Sequence, residues 1–156
     1  MSVYSVRQDY TSKVKAHRLF TALVPERHVV LLKVLPQNFK SIEIVQGDGG
    51  VGTIKRTNFS DDFPYRYMVY RIDEMDKENL YGKCTYFEGD GLDKYGAETM
   101  VYEIKFEETN QGSKGYEIIH YHPKPGCEVK KDQVGVAINL FNKVEEYLLA
   151  NPDIYA

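Results

Sequence analysis

One long amphipathic helix closes this sequence, and the segments before it must bury their apolar faces against it. Over about 129–150, Val134, Ala137, Ile138, Phe141, Val144 and Leu148 recur at helical spacing as a continuous apolar stripe, and Asn151-Pro152 stops it. Upstream, β-forming segments recur at about 41–46, 53–59, 65–73, 79–87, 98–107 and 115–122, with Gly, Asn or Asp between most of them. A further strand reads over 3–10. Ser12 is placed to cap a short helix whose Ala16, Leu19, Phe20 and Leu23 share a face, and Pro25 ends it. A second short helix follows over 26–34, closed by Pro36. A six-strand antiparallel meander buries one face, and one long helix is available to cover it. No repeat, linker or low-complexity stretch divides the chain, so residues 1–156 are expected to form one α+β domain.

The segment Gly47-Asp48-Gly49-Gly50-Val51-Gly52 fits G-x-G-x-x-G, the pattern of a dinucleotide-binding turn. That turn must open a helix whose N-terminus receives the pyrophosphate. Here Thr53-Ile54-Lys55-Arg56-Thr57-Asn58-Phe59 follows, which alternates and reads as a strand. The glycines therefore predict a tight link between antiparallel strands, where positive φ is needed.

Composition narrows the function classes. The net charge is −3 and no basic run exceeds two residues, Lys130-Lys131 being one, so no nucleic-acid surface is expected. No stretch approaches the length of a membrane span, and the N-terminal residues lack a hydrophobic signal core, which predicts a cytoplasmic protein. Cys84 and Cys127 are too few for a disulfide framework. Thirteen tyrosines and seven phenylalanines, with no tryptophan, suit either an aromatic core or a cavity wall that is apolar in body and offers hydroxyls at chosen points.

Five motifs in order carry a resemblance over nearly the whole chain. They are Lys33-Val34-Leu35-Pro36, the glycine segment through Ile54, Phe87-Glu88-Gly89-Asp90, Tyr121-His122-Pro123-Lys124-Pro125-Gly126, and Val144-Glu145-Glu146-Tyr147-Leu148. Together they resemble the plant pathogenesis-related class 10 proteins, the superfamily of the major birch pollen allergen, nearest its phenolic oxidative coupling (hypericin-associated) branch. The resemblance implies the helix-grip fold: a curved seven-stranded antiparallel sheet around the C-terminal helix, two short helices, and a large cavity between them. Between the Lys-Pro-Gly-Cys motif and Val144 this chain is about four residues shorter than such proteins, roughly one helical turn.

The family's inward positions imply a ligand-binding face. Phe59, Tyr67 and Arg71 would begin it, followed by Leu80, Gly82, Cys84 and Tyr86. Met100, Tyr102, Ile104 and Phe106 would continue it, then Glu117, Ile119 and Tyr121. Ala137, Ile138 and Phe141 of the helix would close the space, while Arg27 and Lys33 would flank its entrance. Gly82 and Cys84, being small, are expected to widen the cavity. Arg71 and Glu117 are charges on an apolar face, which must pair, reach water or fix a ligand's polar groups. A filled core remains the ordinary alternative for such apolar stripes.

The implied function is an intracellular carrier or reservoir for hydrophobic metabolites such as phytohormones (abscisic acid among them), flavonoids, phenolics or alkaloids. The resemblance also implies a defence or stress role and allergenicity. The expected partner is a small hydrophobic ligand, with no nucleic acid and no membrane, and the protein is expected to be a monomer or weak dimer. The alternatives are a cavity enzyme of condensation or phenolic-coupling type, and a weak ribonuclease. No catalytic residues, cofactor or metal are expected: His120 and His122 share a strand face but lack a third ligand. A hormone-receptor role finds no support, because His17-Arg18-Leu19 reads like that group's latch but lies in the first helix.

Overall fold

The computed structural model describes residues 2–130 and 133–156. Its strands are β1 (Tyr4–Ser12), β2 (Phe39–Gln46), β3 (Ile54–Phe59), β4 (Tyr67–Asp76), β5 (Tyr81–Glu88), β6 (Ala97–Thr109) and β7 (Gly112–Pro123). The helices are α1 (Ala16–Leu23), α2 (Arg27–Val34), α3 (Asp90–Tyr95) and α4 (Gln133–Ala150). All seven strands form one antiparallel sheet in the order β1-β7-β6-β5-β4-β3-β2. Strands β2 to β7 are the expected meander, and β1 joins it at the far edge, from Tyr4↔Tyr121 to Ser12↔Ser113.

Register decides which side chains face the helices. In β3 the inward residues are Lys55, Thr57 and Phe59, all buried, whereas in β4 they are Met68, Tyr70 and Ile72. The pairing Thr57↔Met68 switches the inward set from odd to even numbers. Even numbers then persist through Tyr86 in β5 and Tyr102 in β6 by the pairs Tyr70↔Tyr86 and Tyr86↔Met100. The pair Tyr102↔Ile119 switches β7 back to odd numbers. Against this face α4 buries Val144 and Leu148 completely, and α1 buries Ala16, Leu19, Phe20 and Leu23.

Arg18, on the same short helix, is also buried. Its guanidinium donates to three carbonyls at the other end of the chain: Leu148 O at 3.0 Å, Asn151 O at 2.7 Å and Ile154 O at 2.9 Å. A cation among the last carbonyls of α4 satisfies acceptors the helix cannot pair itself and complements its dipole.

Several local expectations are corrected. Ser12 does not cap α1; the cap position is Lys15, and the Ser12 hydroxyl instead accepts the Val14 N–H at 3.0 Å. The short helix α3 was not foreseen. It begins beside Asp90, whose carboxylate accepts the Arg66 and Tyr67 N–H groups, and it ends at Gly96 in the left-handed conformation. Helix α4 starts later than 129: Lys130 N–H bonds the Tyr95 carbonyl, tying that stretch to α3 instead. The apparent four-residue shortening lies somewhere between Cys127 and Val144, a stretch that includes residues 131–132, outside the described residues.

Candidate functional site

Between the sheet and the helices lies a space of about 50 Å³, walled by Tyr70, Ile72, Cys84, Tyr86, Tyr102 and Ile104 and roofed by Leu23, Val24 and Arg27. A second space of about 20 Å³ adjoins it under α4, against Ala137, Leu140 and Phe141. Arg27, Tyr102 and Glu117 border both. These are far smaller than the large cavity expected, because aromatic rings occupy the interior. Phe141 stacks on Tyr10 with centroids 3.9 Å apart, and Tyr70, Tyr86 and Tyr102 form a ladder with successive centroids 4.9 Å apart. Gly82 adds no room either. A β-carbon there would meet both Val24 methyls at 3.1 Å, so Val24 already fills what the glycine leaves open.

The electrostatics of this space are unusual for a protein core. Arg27 points inward from α2, and its guanidinium donates to the Leu23 carbonyl at 3.4 Å. Glu117 points inward from β7, and its carboxylate accepts the Tyr10 hydroxyl at 3.4 Å. The two charges act on each other across the space, with no hydrogen bond or ion pair between them among the described residues. Burial pushes the Glu117 carboxyl above its usual range; the Arg27 charge and the Tyr10 hydrogen bond oppose that shift. Burial likewise pushes the Cys84 thiol up to about 12, so it stays protonated and unreactive. The Tyr70, Tyr86 and Tyr102 phenols are all raised, with burial the largest cause.

Of the residues implied by resemblance, the structure places Arg27, Cys84, Tyr86, Tyr102, Ile104, Glu117 and Phe141 on these two spaces. Phe59, Met100 and Ile119 are buried in the core and line neither. Ile138, half-buried on α4, lines neither. Tyr67 and Arg71 are corrected. Both lie on the outer face, because the odd-to-even switch between β3 and β4 turns them outward. Tyr67 packs under the Arg56 guanidinium, 4.0 Å from its ring centroid. Arg71 pairs with Asp73 at 2.7 Å. Lys33 is exposed rather than at the space. The spacing reading missed Tyr70 and Ile72 for the same parity reason, and it missed Val24 altogether.

The glycine segment is a loop joining β2 to β3, with Gly47, Gly49 and Gly52 at φ of 100°, 101° and 90°. Its amides are already engaged: Gly49 N–H donates to Thr53 Oγ1 at 2.8 Å, Gly50 N–H to Asp48 Oδ1 at 2.9 Å, and Gly52 N–H to the Ile72 carbonyl at 2.8 Å. No helix follows to receive a phosphate, and the Asp48 carboxylate would repel one. Titration with ATP is accordingly expected to leave the amide chemical shifts of Gly47 to Thr53 unchanged; saturable submillimolar shifts confined to that loop would refute this reading. Lys55, behind the loop, is fully buried on β3 with its ammonium 3.2 Å from His28 Nδ1.

On the outer face the His120 ring is engaged by two side chains. Its Nδ1 shares a hydrogen bond with Ser5 Oγ at 2.7 Å and its Nε2 with Glu103 at 2.5 Å, and Glu103 also accepts the Tyr81 hydroxyl at 2.6 Å. This polar row stitches β1, β7, β6 and β5 together. Among the described residues no cluster of three or more His, Cys, Asp or Glu is arranged to hold a metal. No described helix is long and apolar enough to cross a membrane.

Comparison with known proteins matches this geometry to one family. Residues 1–151 fit the family described as Pathogenesis-related protein Bet v 1. The chain is 39% identical to Major allergen Pru ar 1 of Prunus armeniaca, with 99% of each chain covered. That alignment spans 160 residues against the 156 here, so the relative carries residues without a counterpart. The crystal structure of Ara h 8.0201 superimposes with a TM-score of 0.86 at 28% identity, covering 96% of this chain and all of that one. Norcoclaurine synthase from Thalictrum flavum superimposes with a TM-score of 0.72 at 22% identity, covering 95% and 87%, a likeness of fold. The helix-grip architecture, the motif order and the end-to-end family match agree: this chain belongs to the pathogenesis-related Bet v 1 family.

Proposed function

We propose that the protein is a carrier or reservoir that binds hydrophobic small molecules between its sheet and its helices, as one ligand-binding domain. The observation that carries this reading is the pair Arg27 and Glu117. Two charged side chains on a mainly apolar wall face a hollow rather than each other, which is costly unless something else meets them. The tyrosine ladder supplies apolar area for a ring system, and burying that area drives binding. Ligand pockets commonly measure about 300–1,000 Å³, so a phytohormone, flavonoid or other phenolic must displace side chains to enter. Val24, over Gly82, and Phe141 are the groups placed to move. A cytosolic reservoir of this kind fits a role in defence or stress metabolism.

A fluorescent apolar probe such as an anilinonaphthalene sulfonate tests the reading. Saturable binding of micromolar order, displaced by flavonoids or hormones including abscisic acid, is the expected result. No saturable enhancement at any accessible concentration would sink it. A second reading, acid–base catalysis in the same space, is favoured by the raised Glu117 carboxyl beside the Tyr10 hydroxyl. It requires turnover of an amine–carbonyl or phenolic substrate that Glu117→Gln abolishes.

A further inference from the structure

Three groups at the interior space lack the partners that buried polar groups ordinarily have. Tyr70 is 3% exposed, lines the space, and its hydroxyl finds no hydrogen-bond partner in the protein. Of its five N–H donors Arg27 offers one to the Leu23 carbonyl, in a long bond, and one to the Tyr86 phenol, and Glu117 makes one long bond to Tyr10. Buried hydroxyls and charges are normally satisfied, so a cluster of three under-satisfied groups around one hollow points to a polar group that belongs between them.

We propose that this polar group is an anion: the ligand is an aromatic acid whose oxyanion sits between the Arg27 guanidinium and the Tyr70 hydroxyl, with its ring against Tyr86 and Tyr102. The inference rests on the ligand-binding reading above and names the chemistry of its ligand. It follows from an asymmetry between the two charges. A guanidinium does not release its proton in a protein, so Arg27 keeps its charge whatever enters. A carboxylate can lose its charge by taking up a proton. The site therefore accommodates an anion by neutralising Glu117, but it cannot accommodate a cation by neutralising Arg27. Lys55, fully buried on β3, adds a second cation that acts on Arg27 and Cys84.

Glu117 is the group that adjusts. It is faced by Tyr10 from β1, Cys84 and Tyr86 from β5, Tyr102 from β6 and Arg27 from α2. Among the described residues α4 adds only the carbon of Val136, Ala137, Leu140 and Phe141. The three phenols and the thiol are all raised and stay neutral, which leaves Glu117 as the proton acceptor. An incoming anion repels the Glu117 carboxylate and raises its pKa beyond the already elevated value of the free protein. Binding thus takes up a proton wherever free Glu117 is ionised. Affinity is greatest below the free-protein pKa of Glu117 and falls, by up to about tenfold per pH unit, as pH rises through the window between its free and bound values.

Calorimetry with naphthalene-1-sulfonate and its neutral sulfonamide tests this with one ring and two charges, the sulfonate staying ionised throughout the range. The wild-type protein should prefer the sulfonate by about tenfold or more near pH 5, with the preference shrinking towards pH 8 and proton uptake visible in buffers of different ionisation enthalpy. Glu117→Gln should keep the preference and lose its pH dependence. Arg27→Met should lose the preference while Arg27→Lys retains most of it. Equal wild-type affinity for the two compounds, or a preference that survives Arg27→Met, overturns the proposal while leaving the binding function standing. The wild-type comparison decides it even if a variant does not fold. Failure of both compounds to bind the wild-type protein removes the binding function and the proposal together.

Discussion

Replacing Arg18 by Met is expected to lower stability by about 3 kcal/mol, which for a domain of this size is a melting-temperature drop of roughly 6–12 °C. The Met stem keeps most of the packing but leaves the carbonyls of Leu148, Asn151 and Ile154 without their donor. Hydrogen bonds from a charged donor are worth about 1.5–3 kcal/mol each, and partial access of water to these carbonyls recovers some of that loss. The guanidinium is also the only described side chain that links α1 to the last carbonyls of α4 and the tail beyond it by hydrogen bonds. Urea unfolding should show a lower midpoint at an unchanged slope. A midpoint indistinguishable from wild type would mean the three bonds do not persist in solution.

Tyr102→Ala is the second large effect. Tyr102 stands between the two interior spaces and packs against Tyr86 with centroids 4.9 Å apart. Removing its ring merges the spaces and leaves the lining of β5, β6 and α4 without contacts. Truncating a buried aromatic side chain to Ala costs about 3–5 kcal/mol, and a protein of ordinary stability has only about 5–15 kcal/mol to lose. The variant should therefore melt far below wild type. It should also regain more stability than wild type when an apolar aromatic ligand is added, because that ligand occupies volume the ring has vacated. Thermal melts with and without saturating naphthalene check both halves. A destabilised variant that gains no more from the ligand than wild type would mean the surrounding side chains collapse into the gap.

The strands and the terminal helix were legible because alternation and helical periodicity survive in the sequence. The faces of the strands were less so. Reading Tyr67 and Arg71 as inward required knowing whether the β3–β4 pairing joins residues of like or unlike parity, and Thr57↔Met68 joins unlike ones. Nothing in a single strand reveals that sum. The missed helix α3 is six residues long, too short for a periodic signal, although Gly96 after Lys94 was a stop cue. Room around Gly82 was misjudged for a different reason: Val24, which fills it, lies 58 positions earlier on another element. Arg18 illustrates the same limit. Its partners lie 130 to 136 residues downstream, and no pattern local to the first helix names them.

The position of β1 sets the order in which this protein can be completed as it is made. Six strands lie beside their neighbours in the sequence and can pair as they emerge. Tyr4, by contrast, pairs with Tyr121, so the first strand has no partner until the last has been synthesised. At a translation rate of about 5–20 residues per second, that is a wait of roughly 6–23 seconds. During it, β1 with its Tyr4-Ser5-Val6 start is an unpaired β segment, and only the arrival of β7 supplies the edge it pairs with. Arg18 waits longer still, for carbonyls at the end of α4. The first strand and the Arg18 contacts are therefore among the final pieces to lock, and a nascent chain stalled before β7 leaves β1 without its partner.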